Sequence, residues 1–219
     1  MFKLSPSKLN LFLECPLCFW LNEQGVHRPA GPFPSLPSGM DLAIKRYFDG
    51  YRAKGQLPPE LKGKVEGKLF DDLNLLNVWR NNRKGLSWTD DDGNILMGAI
   101  DDCLIDGKNF IVVDFKTRGF ELKEDSTSYY QNQLDCYALL LEKNGMKHPG
   151  FAYLIYFIPL EIKEHGEVKF DIQIKKMHVD SQRALKTFNN ALKLLKGKRP
   201  TKHSECKFCA WADENWKFE

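Results

Sequence analysis

The sequence predicts a single α/β domain, residues 1–219, with a mixed central β-sheet flanked by helices. Two observations carry this prediction. Apolar runs rich in β-branched and aromatic residues, separated by turn signals, occupy the middle of the chain, and amphipathic helical patterns precede and follow them. The composition agrees, because 42% hydrophobic and 28% charged residues are typical of a globular chain that can bury a core.

The first part of the chain predicts helices and one loop. In LSPSKLNLFLECPLC, Ser5 can cap a helix and Pro6 suits its first position. Residues 28–39 contain four prolines and predict a loop. A helix over 40–55 and a short helix within 69–79 follow from their apolar spacing.

The middle of the chain predicts consecutive strands in residues 89–117. Their turns are expected at Asp92-Gly93 and Asp106-Gly107. The next helix should cover residues 128–145, with Ser126 or a neighbour as its cap and Gly145 as its end.

Two more strands and a last helix complete the predicted fold. The strands should lie within 151–159 and 168–177, where the second segment alternates apolar and polar residues. The last helix should run over 180–196, with apolar residues on one face and Gly197 after its end.

Charge and hydropathy limit the environment of the protein. The formal net charge is only +3, but residues 183–207 hold eight basic residues against Glu205. This basic segment could attract a polyanion or form an ordinary solvated helix face. No apolar run approaches the roughly 20 residues of a membrane span, and MFKLSPSKLN lacks the apolar core of a secretory signal. We therefore expect a cytoplasmic protein without membrane contact, whose six cysteines serve metal binding or core packing.

Asp114 and Lys116 interrupt the apolar run FIVVDFKT, where desolvation makes charges costly. Side chains alternate along a strand, so both residues should point to the same side. A short hairpin brings Asp101 near them. Two carboxylates on neighbouring strands can hold Mg²⁺, and a nearby lysine could activate water or offset charge on a phosphate. The alternative is an Asp114–Lys116 pair that faces water at a strand end.

The motifs GAID (98–101), DFKT (114–117) and Gln133-x-x-x-Tyr137 occur in this order. Together they resemble the PD-(D/E)XK nuclease superfamily, specifically its RecB-like branch. The resemblance implies Asp101, Asp114 and the Phe115 carbonyl as ligands of Mg²⁺ or Mn²⁺. It also implies a catalytic Lys116, and a Gln133 and Tyr137 that orient the active site or the DNA. Otherwise Gln133 would be an ordinary exposed helix residue and Tyr137 a core residue.

Asp41 stands where RecB-like members commonly carry a histidine, on the helix before the first catalytic strand. Asp41 could be an alternative metal ligand or a helix cap. This departure bears on metal preference and on the strength of activity.

Two CxxC pairs, Cys15/Cys18 and Cys206/Cys209, could complete one four-thiolate metal site. Residues 1–28 and 197–219 would form this metal-binding subregion, and residues 85–178 the catalytic core. The flanking sequences resemble the iron–sulfur nucleases of the superfamily, the CRISPR-associated exonucleases and AddB-type helicase–nucleases, which implies a [4Fe-4S] cluster. Those proteins usually carry one cysteine early and three late, so the two-and-two arrangement leaves Zn²⁺ as the alternative.

The resemblance implies metal-dependent hydrolysis of DNA, with exonuclease action on single strands. Trp211 and Trp216 could stack on bases or cover the metal site. A helicase, or a protein of CRISPR adaptation or DNA repair, would be the protein partner. The alternative is a catalytically degenerate module that binds DNA or protein and retains the fold and the cysteine site.

Overall fold

A computed structural model describes residues 1–123 and 125–215 of the chain. The described helices are α1 (Pro6–Glu14), α2 (Pro16–Glu23), α3 (Ser35–Arg52), α4 (Leu73–Trp79), α5 (Gln131–Lys143), α6 (Ser181–Leu195) and α7 (Lys207–Asn215). The described strands are β1 (Lys3–Leu4), β2 (Lys68–Leu69), β3 (Leu86–Thr89), β4 (Ile95–Gly98), β5 (Asp102–Asp106), β6 (Asn109–Thr117), β7 (Phe151–Ile162) and β8 (Val168–His178).

The predicted mixed α/β fold is confirmed, and its strands form two hydrogen-bonded sheets. The larger sheet has the order β2-β5-β6-β7-β8, with β6 and β7 parallel and the other neighbours antiparallel. The smaller sheet has the order β1-β4-β3, with β1 parallel to β4. Helix α5 connects β6 to β7, as parallel neighbours require a crossover.

Helices cover both faces of the larger sheet. Val112 of β6 belongs to the apolar cluster that includes α5 and α6 residues, whereas Val113 and Phe115 belong to the cluster that includes α3 residues. Phe48 of α3 is fully buried with its ring 4.6 Å from that of Phe115. Because side chains alternate along β6, Asp114 and Lys116 lie on the α5 side.

The start of the chain differs from the prediction. A helix was predicted to open the segment that ends at Cys18, and the chain forms two helices there, α1 and α2, separated at Cys15. Pro16 explains the break, since proline removes a backbone N–H and restricts the preceding residue to extended backbone, here φ −157° and ψ 109° at Cys15. Ser5 caps α1 as predicted, because its hydroxyl accepts from the Lys8 N–H at 3.3 Å.

The proline-rich loop is shorter than predicted. Helix α3 begins at Ser35, within the residues 28–39 that were assigned to the loop. Pro37 lies in the first turn of α3, where the backbone N–H of a helix has no intrahelical partner, so proline is tolerated there.

The later helices match the prediction in place but not in every cap. Ser126 is not the cap of α5, because its hydroxyl accepts from the Lys123 N–H and a 3₁₀ turn, Ser128–Tyr130, precedes α5. Gly145 follows the end of α5 with φ 76°, as predicted. Asp180 caps α6 through the N–H groups of Gln182 and Arg183. Helix α7 was not predicted.

Within residues 1–123 and 125–215, no helix combines the length and apolar character that crossing a bilayer requires.

Candidate active site and cysteine cluster

Asp114 is a buried acid, not a water-facing one. Its side chain is 1% exposed, and its Oδ2 lies 2.5 Å from the Lys116 Nζ. Lys116 is itself largely buried and lies over the ring of Tyr130, 4.3 Å from its centroid. The alternative of a solvated pair at a strand end is therefore not what the structure shows.

Asp101 lies at a bend before β5, next to Asp114, whereas it was predicted within a strand. The β5–β6 ladder begins at the pair Asp102 and Val113, so Asp101 lies where the two strands separate. Its Oδ2 accepts from the Phe115 N–H at 3.0 Å, which holds the carboxylate against β6.

Gln133 connects the charged residues, and it is not an ordinary exposed helix residue. Its Nε2 donates to Asp114 Oδ1 at 3.1 Å and to the Tyr137 hydroxyl at 2.7 Å, and its Oε1 accepts from Lys116 Nζ at 3.3 Å. Tyr137 in turn donates to the Ala99 carbonyl at 2.6 Å. The four-residue spacing on α5 thus places both side chains on one helix face toward β6 and the GAID segment.

Gly98 of the GAID segment leaves room for Tyr137. A Cβ at this position would lie 2.9 Å from Tyr137 Cε1 and 3.2 Å from Leu140 Cδ1. Both distances are shorter than ordinary van der Waals contact. The close approach of α5 to β4 therefore requires a residue without a side chain.

Burial and charge shift the pKa values of the site. Burial, together with the nearby Asp101 carboxylate, raises the pKa of Asp114 to about 7, although Lys116 lowers it. Burial and the charges of Asp114 and Asp101 raise the pKa of Tyr137 well above its usual value, so its hydroxyl stays a hydrogen-bond donor. The two carboxylates destabilise one another when both are ionised, which makes the site receptive to a cation.

A sequence comparison decides the family. The profile described as PD-(D/E)XK nuclease superfamily matches residues 40–213, which span both acidic residues, Lys116, Gln133 and Tyr137. The chain belongs to the PD-(D/E)XK nuclease superfamily. Membership implies metal-dependent hydrolysis of nucleic-acid phosphodiester bonds.

Two further comparisons were made. No curated protein matches the chain. A solved structure titled "Crystal structure of SSO0001" is similar over 96% of this chain and 84% of its own, at 16% identity and a TM-score of 0.44.

The acidic residues of this superfamily member fit a divalent cation. Asp114 Oδ2 is buried, and the ammonium of Lys116 lies 2.5 Å from it. A buried carboxylate oxygen that is paired with a lysine ammonium already favours positive charge, and a hard cation prefers such oxygen ligands. The Phe115 carbonyl, predicted as a further ligand, belongs to the residue between Asp114 and Lys116.

Asp41 lies inside α3 and is not a helix cap. Its Oδ2 accepts from Lys45 Nζ at 2.8 Å, and the same ammonium is 2.8 Å from Asp101 Oδ1. Burial alone would lower the pKa of Lys45, but these two carboxylates raise it above its usual value. Lys45 was missed in the sequence, although its i,i+4 spacing from Asp41 would have suggested the first of these ion pairs.

A second buried network, formed by charged side chains, contacts the backbone carbonyl of Asp101. Arg80 donates from Nε to the Asp101 carbonyl at 2.7 Å and pairs with Asp49 and Asp102. Asp102 is 0% exposed and lies 2.6 Å from Arg52 Nη2. These four charged residues were also missed, because the partners are 22 to 50 positions apart in sequence for every pair except Asp49 and Arg52.

The four predicted cysteines come together and could hold a metal ion. Cys15 follows α1, Cys18 lies in α2, Cys206 precedes α7 and Cys209 lies in α7. All four sulfurs lie within 4.8 Å of one another and all four residues are buried. The predicted link between the early and late segments is therefore confirmed.

The four cysteines of the cluster differ in the pKa values and in the contacts of their thiols. Burial would raise the pKa of Cys15, but backbone hydrogen bonds from His203 and Cys18 lower it to about 6. Burial raises the pKa of Cys18 and Cys209. The Arg28 guanidinium donates from Nη2 to Cys206 Sγ at 3.5 Å. The other two cysteines, Cys103 and Cys136, are buried in the apolar core as predicted.

The predicted Trp211 and several members of the basic segment lie at the surface. Trp211 is 61% exposed and lines a cavity of about 260 Å³ together with Cys18, Cys209 and Arg28. Trp216 lies outside the described residues. Three members of the basic segment, Arg183, Lys196 and Lys202, form ion pairs with aspartates. The segment is thus less positive than its sequence indicates.

Proposed function

We propose that this protein is a Mg²⁺- or Mn²⁺-dependent deoxyribonuclease of the RecB-like branch, acting as an exonuclease on single-stranded DNA. The observation that carries the proposal is the hydrogen-bonded set Asp114, Lys116, Gln133 and Tyr137, with Asp101 beside it. The motif order GAID, DFKT and Gln-x-x-x-Tyr supports the RecB-like assignment.

In this proposal Asp101, Asp114 and the Phe115 carbonyl hold the metal ion, and Asp41 is a further candidate ligand. The bound ion polarises the phosphoryl oxygen and lowers the pKa of its water. Lys116 donates to the attacking water or to the phosphate, and its contact with Gln133 Oε1 fixes its direction. Tyr137, bonded to Ala99, holds Gln133 in turn. A shift of any of these atoms weakens the alignment that hydrolysis needs.

The spacing of the cysteine sulfurs favours a single tetrahedral ion. Zn–S bonds of about 2.3 Å at tetrahedral angles place sulfurs about 3.8 Å apart. The measured pairs, Cys15–Cys209, Cys18–Cys206 and Cys18–Cys209, are 3.8, 3.7 and 3.6 Å apart. In a [4Fe-4S] cluster each thiolate binds a different iron, which separates the sulfurs further. We therefore place Zn²⁺ ahead of the [4Fe-4S] cluster that the family resemblance implies, and metal analysis with visible absorption of anaerobically purified protein decides between them.

The wider setting follows from the RecB-like resemblance. We place residues 1–219 in one domain, with 85–178 as its catalytic core, working in the cytoplasm with a helicase or a protein of CRISPR adaptation or DNA repair. The degenerate binding module is not favoured, because the site residues are assembled around a buried acid.

The deciding experiment is hydrolysis of end-labelled single- and double-stranded DNA in Mg²⁺ or Mn²⁺, with RNA of the same sequence in parallel. Lys116→Ala removes the ammonium of the site. Lys108→Ala is the matched control, because Lys108 is exposed in the β5–β6 turn, at the other end of β6.

We expect cleavage by wild type and Lys108→Ala, and loss of cleavage in Lys116→Ala and with chelator. The product ladder gives the polarity. DNA binding without cleavage by all three proteins would favour the degenerate binding module. Cleavage that survives Lys116→Ala would show that the active site lies elsewhere.

A further inference from the structure

Lys45 forms an ion pair with Asp101, one of the predicted metal ligands. Its Nζ is 2.8 Å from Asp101 Oδ1 and 2.8 Å from Asp41 Oδ2, and its side chain is only 16% exposed. The other oxygen of Asp101 already accepts the Phe115 N–H. Both oxygens of Asp101 are therefore engaged, one of them by the ammonium of Lys45.

The ion pairs at the site form a matched arrangement. Asp114 has Lys116 as its cation, and Asp101 has Lys45. In a partly buried site such charges attract more strongly than in water, since the effective dielectric constant is lower. A divalent cation that approaches Asp101 meets the repulsion of an ammonium already bound there, and must displace it to use Oδ1.

We propose that Lys45 is a resident cation that competes with the divalent metal ion for Asp101 and so weakens metal binding when no nucleic acid is bound. The inference rests on the proposed function only for the position of the metal ligands. Lys45 acts through Asp101 and is a positioning residue.

Asp41 can still bind the Lys45 ammonium after a metal ion displaces it from Asp101. Lys45, Asp41 and Asp101 all line one cavity of about 610 Å³. Arg46, Asn77 and Asn82 also line this cavity, so its wall offers donors to a phosphate. Displaced from Asp101, Lys45 would thus stay in this cavity on Asp41, where a nucleic-acid backbone could meet it.

The test is Mn²⁺ binding to the full chain without nucleic acid, measured by calorimetry and by the electron paramagnetic resonance of free Mn²⁺. Lys45→Met keeps side-chain length and helix propensity but removes the charge. We expect its Kd for Mn²⁺ at the active site to fall at least tenfold. Arg46→Met is the matched control, because Arg46 is the next residue of α3, is exposed and lines the same cavity. Its Kd should stay within twofold of wild type.

Lys45→Arg keeps the positive charge and should keep weak binding, whereas Lys45→Gln should resemble Lys45→Met and serves if the methionine variant does not fold. A structural role alone would make metal binding weaker, not tighter. An unchanged or higher Kd in folded Lys45→Met and Lys45→Gln overturns the inference.

This test can fail independently of the proposed nuclease activity, because Mn²⁺ binding is measured without substrate. Tighter binding with no cleavage by any variant would uphold the role of Lys45 and refute the nuclease proposal. Cleavage by wild type together with an unchanged Kd in Lys45→Met would do the reverse.

Discussion

The stability of Asp114→Asn relative to wild type should increase as the pH rises from 4 to 8, while the replacement removes metal-dependent activity. Asp114 is fully buried, and burial together with Asp101 raises its pKa from the ordinary 3.8 to about 7. A raised pKa means that the folded state prefers the neutral carboxyl. Ionised Asp114 therefore opposes folding, and an amide of the same shape does not.

The magnitude follows from linkage. One pKa unit corresponds to about 1.4 kcal/mol, so a shift from 3.8 to about 7 corresponds to about 4 kcal/mol. The contribution of Asp114 to the free energy of unfolding is fully present below pH 4, where its carboxyl is neutral in the folded and in the unfolded state. It is lost as the pH rises through about 7, because the unfolded chain then releases its proton more readily. The free energy of unfolding of Asp114→Asn minus that of wild type should thus be about 4 kcal/mol larger above pH 7 than at pH 4.

The assay is urea unfolding of wild type and Asp114→Asn from pH 4 to pH 8, with chelator present. Groups common to both proteins cancel in the difference, and any constant cost of the amide shifts the whole curve without changing its slope. A difference in free energy of unfolding that stays constant over this range would refute the reasoning. It would mean that Asp114 ionises in the fold without penalty.

Three other substitutions test neighbouring features. Gly98→Ala places a Cβ 2.9 Å from the Tyr137 ring, so single-turnover cleavage should fall at least tenfold and the melting temperature should fall as the overpacked ring shifts; an unchanged rate would show that the ring position does not matter. Asp102→Asn leaves Arg52, 3% exposed, without its main counter-charge, and urea unfolding should show a loss of about 3–5 kcal/mol. A loss below 1 kcal/mol would contradict this. Cys206→Ser should release the ion held by the cysteines, seen as a lower metal-to-protein ratio and a lower melting temperature; full metal content would mean that three thiolates suffice.

The local parts of the site followed from the sequence. Alternation along a strand places Asp114 and Lys116 on one side, and the i,i+4 rule places Gln133 and Tyr137 on one helix face. These rules depend only on backbone geometry, so they hold before the tertiary structure is known. The pairing of the two CxxC segments was equally accessible, because four thiolates complete a tetrahedral site.

The contacts between residues far apart in the chain could not be predicted from the sequence. The contact between Lys45 and Asp101 joins α3 to a bend before β5, and it depends on how α3 packs across the sheet through Phe48 and Phe115. The periodicity of the sequence does not predict how α3 packs on the sheet. The break at Cys15, in contrast, was readable from Pro16, which restricts the residue before it.

The cysteine cluster also closes a loop over most of the chain. Cys15 and Cys209 are 194 positions apart, and closing a loop of this length costs about 5 kcal/mol of chain entropy. Binding of zinc by structural sites in zinc-finger peptides releases about 10–16 kcal/mol, so a metal ion held by these four cysteines would more than offset this cost. Helix α1 contacts α5 through Asn10 and Asn132, whose amides are 2.7 Å apart next to Gln133. A metal ion bound by the four cysteines would therefore also help to hold α1 against α5, the helix that carries Gln133.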